Sequence, residues 1–232
     1  MTVLVYTCVV CRRDEIPMIK HPTPGFEYRC FSDEPDRGEK KGWQVRSLAR
    51  RESTVFHTVR WHKILPHIHS PGFDYYLWLD GHIAPKVDLL ELVVEMFDAE
   101  ICAFPHRKRS DPYQEAHAVQ ALKLETVEGK DYALRLLYGE KYPHGGGLHE
   151  CGTLLMKNTA RVRDMLNDWY ATLVIGKCKR DQLHFDRLSR KHHVRVQDLD
   201  GDVRTNRYFD WTTHERPISP DTVRMQEQWE KS

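Results

Sequence analysis

No stretch of the 232-residue chain approaches the roughly 18 to 20 consecutive apolar residues that a membrane helix requires, so no spanning segment is expected. Net charge is nearly absent too. The 35 basic and 34 acidic residues leave a formal charge of +1, too little to gather nucleic acid or an anionic membrane, so any phosphate recognition must be local. The amino-terminal Met1-Thr2-Val3-Leu4-Val5-Tyr6-Thr7 lacks the basic region and apolar core of a secretory signal and reads as a first strand. The cysteines at positions 8, 11, 30, 102, 151 and 178 sit mostly in apolar surroundings. Reduced thiols and a cytoplasmic location are expected rather than a disulfide framework. Cys8-Val9-Val10-Cys11 has no second Cys pair or spaced His pair, so buried thiols are expected over zinc. Internal repeats, a His-Glu-x-x-His helix and a Gly-x-Ser-x-Gly elbow are all missing. His62, His67 and His69 do not have zinc-hydrolase spacing.

What remains is the composition of a folded globular protein, 40% hydrophobic, 10% aromatic and 30% charged. Prolines and glycines are scattered as turn markers, so residues 1–232 read as one domain, with 203–232 a tail expected to pack on or near the site. Strand-like runs recur at Val3 to Val10, Tyr28 to Phe31, Trp43 to Leu48, Asp74 to Leu79, Glu100 to Phe104, Gly152 to Met156 and Val194 to Val196. Helical patterns cover Ser53 to Leu65, with Ser53 as N-cap and Pro66 as stop, then Asp88 to Phe97, Pro112 to Leu124, Lys130 to Tyr138, Thr159 to Leu173 and Asp181 to Ser189. Strands alternating with helices predict an α/β fold: a mixed, mostly parallel sheet flanked by helices. Ligands gather at the carboxyl ends of the strands in such a sheet.

Tyr75-Tyr76-Leu77-Trp78-Leu79-Asp80-Gly81-His82 places a carboxylate at a strand end. There Asp80 can hold a divalent cation bridging two phosphates, with Gly81 allowing close backbone approach; an ordinary Asp-Gly turn is the alternative. Arg60 and Lys63 share a helix face suited to a diphosphate, or to solvent. The stretch His106-Arg107-Lys108-Arg109-Ser110-Asp111-Pro112-Tyr113-Gln114-Glu115 puts cations after a strand and Glu115 in a first helical turn. Arg109 could bind phosphate or an acidic sugar and Glu115 could act as base; an exposed basic loop with a helix-stabilising Glu is the bland alternative. Gly145-Gly146-Gly147 is either a lid or a plain flexible connection. Asp181 is a candidate for sugar contact, or simply for capping its helix.

A hydrophobic strand ending in Asp-x-Asp is the donor and metal signature of GT-A glycosyltransferases, and Asp80-Gly81-His82 resembles it with His for the second Asp. Glu150-Cys151-Gly152, an apolar strand, then Arg180-Asp181-Gln182 at a helix start resembles the ordered Asn-Ser-Gly and Asp-Gln pattern of glycogenin-like and bacterial galactosyltransferases. Across Val3 to Leu188 the chain is similar to a domain-of-unknown-function family. That family includes plant mucilage- and pectin-related glycosyltransferases and a turgor-regulation protein described as an alkaline ceramidase. The similarity rests on Phe31-Ser32-Asp33, Gly42-Trp43-Gln44-Val45, Arg60-Trp61-His62-Lys63-Ile64-Leu65-Pro66-His67, Tyr76-Leu77-Trp78-Leu79-Asp80-Gly81, Pro105 to Arg109 with Tyr113 to Ala116, and the two later motifs.

These resemblances imply a GT-A-like (Rossmann-like) fold and transfer from a nucleoside diphosphate sugar, first of all a UDP-sugar, to a glycan or other hydroxyl acceptor. They imply Asp33 near the base or ribose, Arg60 and Lys63 near the diphosphate, and Asp80, Gly81, Arg109, Glu150 and Gly152 around the donor. Asp181 and Gln182 would lie beside the sugar, with retention of stereochemistry or, with Asp181 or Glu115 as base, inversion. Mn2+ or Mg2+ would sit on Asp80 with His82 and His214. The rival functions are a noncatalytic nucleotide-sugar binding protein and a lipid-amide hydrolase.

Overall fold

A computed structural model describes residues 1–34, 39–96, 98–212 and 220–231. The ten strands among them are β1 (Val3–Val9), β2 (Phe26–Ser32), β3 (Glu39–Lys40), β4 (Trp43–Ser47), β5 (Tyr75–Leu79), β6 (Ile83–Pro85), β7 (Ile101–Pro105), β8 (His149–Lys157), β9 (Val196–Asp198) and β10 (Phe209–Trp211). The helices are α1 (Val55–Ile64), α2 (Pro66–His69), α3 (Leu90–Val94), α4 (Pro112–Ala121), α5 (Val127–Gly139), α6 (Ala160–Gly176), α7 (Gln182–Lys191) and α8 (Pro220–Lys231). Eight strands form one mixed sheet in the order β3-β4-β2-β1-β5-β8-β7-β9, and β6 pairs with β10 in a separate ribbon. β1, β2, β4, β5, β7 and β9 all point the same way, while β3 and β8 run against them.

The pattern of β1 explains its central place. All seven residues are buried, as a strand covered on both faces requires. Leu4, Tyr6 and Cys8 point to one face, with Trp78, Met156, Trp169 and Phe185; Val3, Val5 and Val9 point to the other, with Leu77, Leu79, Phe104 and Phe209. Helices α1, α6 and α7 cover the first face. Each large side chain buried there contributes about 1.5–3 kcal/mol.

The expected strands and helices are present, with shifted ends. Thr54 rather than Ser53 caps α1, accepting from His57 N at 3.1 Å. Pro66 does not simply stop that helix but opens α2, because a proline fits the first helical position where no N–H bond is needed. The pattern from Asp88 yields only the five-residue α3, and Phe97 lies outside the described residues. The strand expected at Val194 to Val196 runs instead from Val196 to Asp198. No described helix is long and apolar enough to cross a membrane. All six cysteines are buried free thiols.

Candidate active site

Because six strands are parallel, the residues that follow β1, β2, β5, β7 and β9 collect along one edge, and the reversed β8 delivers its first residues to the same edge. At its centre Lys63, from the last turn of α1, is buried to 2% exposure. Its ammonium ion-pairs with Asp181 Oδ2 and lies 3.9 Å from Asp80 Oδ1. Arg60, one turn earlier, reaches Asp181 Oδ1 at 3.3 Å. The i, i+3 spacing thus brings both cations to one carboxylate. Burial opposes ionisation of Asp181, but Arg60 and Lys63 outweigh it and hold the carboxyl well below its usual range. Asp181 does not cap α7. Its backbone is already helical and its side chain makes no cap hydrogen bond, so the capping explanation of this carboxylate fails. Its carbonyl accepts from Trp169 Nε1 at 3.0 Å, which fixes the start of α7. Next to it, Gln182 is buried with its Nε2 lacking any hydrogen-bond partner.

Asp80 is different. Its side chain is 32% exposed, and Oδ1 accepts from Trp78 Nε1 at 2.8 Å. Its N–H donates to Gly152 O at 2.8 Å, locking β5 to β8. A side chain at Gly152 would come within 3.3 Å of Asp80 Oδ2, and one at Gly81 within 2.9 Å of Asp14 Oδ2, so both glycines make room for carboxylates. β8 leaves register with β7 between Ala103 and Phe104, and the displaced stretch Cys151 to Thr153 faces the site. Burial, reinforced by Asp181, raises the Cys151 thiol well above its ordinary range and keeps it neutral.

On the β1 and β2 side, Asp33 Oδ2 accepts from Cys11 N at 3.0 Å. A cavity of about 280 Å³ opens there, lined by Cys11, Asp33, Arg51 and, from α8, Met225, Gln228 and Trp229. The Arg51 guanidinium stacks 3.8 Å over the Trp229 ring. On the β7, β8 and β9 side the charges are paired. Glu115, 2% exposed, is ion-paired to Arg109, with His106 Nε2 at 3.8 Å. Burial lowers the His106 pKa despite Glu115 beside it. Glu150 accepts from Arg204 at 3.2 and 3.4 Å. His149 is bonded through Nδ1 to Asp186 and through Nε2 to Asp198 at 2.8 Å. Burial works against its protonation, but the two carboxylates push its pKa up to about 9.

The structure therefore gathers Asp33, Arg60, Lys63, Asp80, Gly81, Arg109, Glu115, Glu150, Gly152, Asp181 and Gln182 along one edge or immediately behind it. His82 follows Asp80, packs edge-on against Trp211 at 5.6 Å, and accepts Thr212 N on its carbonyl at 3.0 Å. His214 lies outside the described residues. Among the described residues no three His, Cys, Asp or Glu side chains converge as a metal cluster. The Asp80 carboxylate is 32% exposed at the end of β5, so Mg2+ or Mn2+ fits there only as a site completed by the phosphates of a ligand, the usual manner of Mg2+. The triple glycine is tied down. Gly147 N donates to Ser110 O at 3.0 Å, Gly145 N to Asp111 Oδ2 at 2.9 Å, and Tyr142 Oη to Gly146 O at 2.9 Å.

Several contributors carried weaker sequence signals. Trp78 stands inside the Tyr76 to Gly81 motif, His149 directly precedes Glu150-Cys151-Gly152, and Asp198 is the last residue of β9. Arg51, Trp229 and Arg204 stand in no motif. No protein-family model matches the chain, and no curated protein matches it.

Proposed function

We propose that the protein is a glycosyltransferase that takes a sugar from a nucleoside diphosphate donor, a uridine one first, and passes it to a hydroxyl acceptor. The observation that carries this reading is the Asp80–Lys63–Asp181–Arg60 cluster at the carboxyl edge, beside the cavity at Asp33. A strand-end carboxylate about one-third open to solvent, a buried ammonium 3.9 Å behind it, and a pocket on the same edge with an aromatic wall and a carboxylate suit a diphosphate with a nucleoside on one side. The α/β architecture with a mixed, mostly parallel sheet is compatible with the GT-A fold this reading requires.

In this reading the nucleoside enters the cavity, its base against Trp229 and a ribose hydroxyl on Asp33. Lys63 lowers the charge that builds on the departing diphosphate, and Arg60 together with Lys63 keeps Asp181 ionised. A divalent ion on Asp80, when bound, would supply Lewis-acid stabilisation of the same charge. Asp181 and Gln182 border the sugar. The free Nε2 of Gln182 is available to a sugar hydroxyl or to the scissile oxygen. Asp181 and Glu115 are both buried against cations, which speaks against either as the base of an inverting reaction and favours retention.

The same pairing supports a second reading, a nucleotide-sugar binding protein without turnover, because Glu115, Glu150 and Asp181 are all neutralised internally. The lipid-amide hydrolase finds no metal group among the described residues, and all six cysteine thiols are buried. A thermal-shift panel of nucleoside diphosphates with and without Mn2+ tests the main reading: UDP should raise the melting temperature, by about 2.7 kcal/mol of added stability at a hundredfold excess over Kd. Stabilisation by none of them sinks both nucleotide readings. Asp80→Asn should remove the metal-dependent part of the shift. Donor hydrolysis in long incubations separates an enzyme from a binder.

A further inference from the structure

A second cavity, of about 650 Å³, lies away from the carboxyl edge, between the carboxyl-terminal half of α7 and the segment after α5. Glu140, Tyr142, Arg187, Arg190, Lys191 and His193 line it. Arg187, Arg190 and Lys191 face a single carboxylate, Glu140, so the cavity carries an excess of positive charge in a chain whose total charge is only +1. Two details mark it as more than a solvated basic face. The Arg187 side chain is 3% exposed, and its Nε has no hydrogen-bond partner although Nη1 reaches Glu140 at 2.5 Å. A buried guanidinium donor left unmade is costly, and an entering oxyanion would satisfy it. Arg190, at the mouth, has no ion-pair partner among the described residues, whereas Lys191 is held by Asp168 at 2.8 Å.

We propose that this cavity is a binding subsite for an anionic carbohydrate, with a phosphate or carboxylate seated on Arg187 and Arg190 and a sugar-sized body filling the space beside Tyr142. The oxyanion would displace or share the Glu140 contact, and the fork of two guanidinium groups gives it bidentate recognition. The carbohydrate part rests on the proposed transferase function; the anion part does not. The same helix begins at Asp181 and Gln182. At about 1.5 Å rise per residue, Arg190 lies on the order of 13 Å further along it, a span that an oligosaccharide bridges. The cavity therefore offers an acidic acceptor an anchor remote from the site of transfer.

Isothermal titration of the full chain with inorganic phosphate, glucose 6-phosphate, a tri-uronate and neutral glucose tests this. At least one of the two anionic sugars should bind, with glucose inert; whichever binds more tightly identifies the phosphate or the carboxylate as the recognised group. Arg190→Gln, at an exposed position, should weaken that binding about tenfold or more without changing the melting temperature. Glu140→Gln, which removes the resident competitor, should tighten it. The proposal falls if neither anionic sugar binds below about 10 mM, if Arg190→Gln leaves binding unchanged, or if Glu140→Gln weakens it. Nucleotide stabilisation measured on the same samples keeps the questions apart. A chain stabilised by UDP but indifferent to anionic sugars loses only this cavity; a chain that binds them through Arg190 yet ignores every nucleotide loses only the transferase.

Discussion

The two halves of the carboxyl edge are built on different terms. On the β1 and β2 side, an aspartate with a backbone partner, a stacked arginine and a tryptophan surround an open cavity. On the β8, β7 and β9 side, Glu115, Glu150 and His149 each have an opposite charge at hydrogen-bond range. Lys63 and Asp181 sit on the boundary and belong wholly to neither pattern: they are buried and paired with each other, yet Lys63 also lies 3.9 Å from Asp80, which follows the first. The difference separates groups that can exchange a protein partner for a ligand from groups whose charge is already spent on holding strands and helices in place.

Substitutions should divide along that line. Asp181→Asn leaves Lys63 and Arg60 buried beside a neutral amide and should cost about 3–5 kcal/mol in urea unfolding; a variant as stable as the parent would show that the pairs are not locked. His149→Gln tests the paired side through pH. The folded-state pKa is raised, so the imidazolium contributes fully below the unfolded value near 6.5 and is lost as pH rises through about 9. Near pH 6 the variant should be less stable by about 3 kcal/mol, and the gap should close by about pH 9.5. A pH-independent gap would mean that His149 acts through packing alone. Asp33→Asn belongs to the open side. It should leave unfolding within about 0.5 kcal/mol of the parent while weakening UDP binding about tenfold, and the reverse outcome would erase the distinction. The smallest effect is expected for Arg204→Gln, whose 42% exposed side chain makes a rim pair. Its loss should cost no more than about 0.5 kcal/mol and shrink further in high salt.

Much of the edge could be read from local pattern. Asp80 is legible because an apolar run ends in it, and the Arg60 and Lys63 pairing because i and i+3 share a helix face. Asp181 is legible as a candidate, but its ion pairs are not: a carboxylate at a helix start looks like a cap until tertiary packing supplies two cations from another helix. β6 and β10 escaped because a three-residue strand exists only through its partner, here Ile83 to Pro85 against Phe209 to Trp211. The tail is expected near the site, but nothing in residues 220–231 announces that Trp229 in particular would wall the Asp33 cavity. Pro66 looks like a terminator because proline breaks helix interiors, yet it is equally suited to begin a helix and opens α2.

The reversed strand β8 also sets the order of assembly. Tyr75 of β5 pairs with Lys157, so the contact that brings Gly152 against Asp80 closes a loop of about eighty residues. A ribosome that has delivered only the first half of the chain has made β1, β2 and β5 but leaves β5 with one unpaired edge, a template for misassociation. Gly152 reaches Asp80, and the nascent chain loses that exposed edge, only after residue 157 has emerged, and Asp181 must follow before the Lys63–Asp181 pair can form. The site is therefore completed late in the chain, and a chain truncated before α7 would lack Asp181 and Gln182 and leave Lys63 without that ion pair.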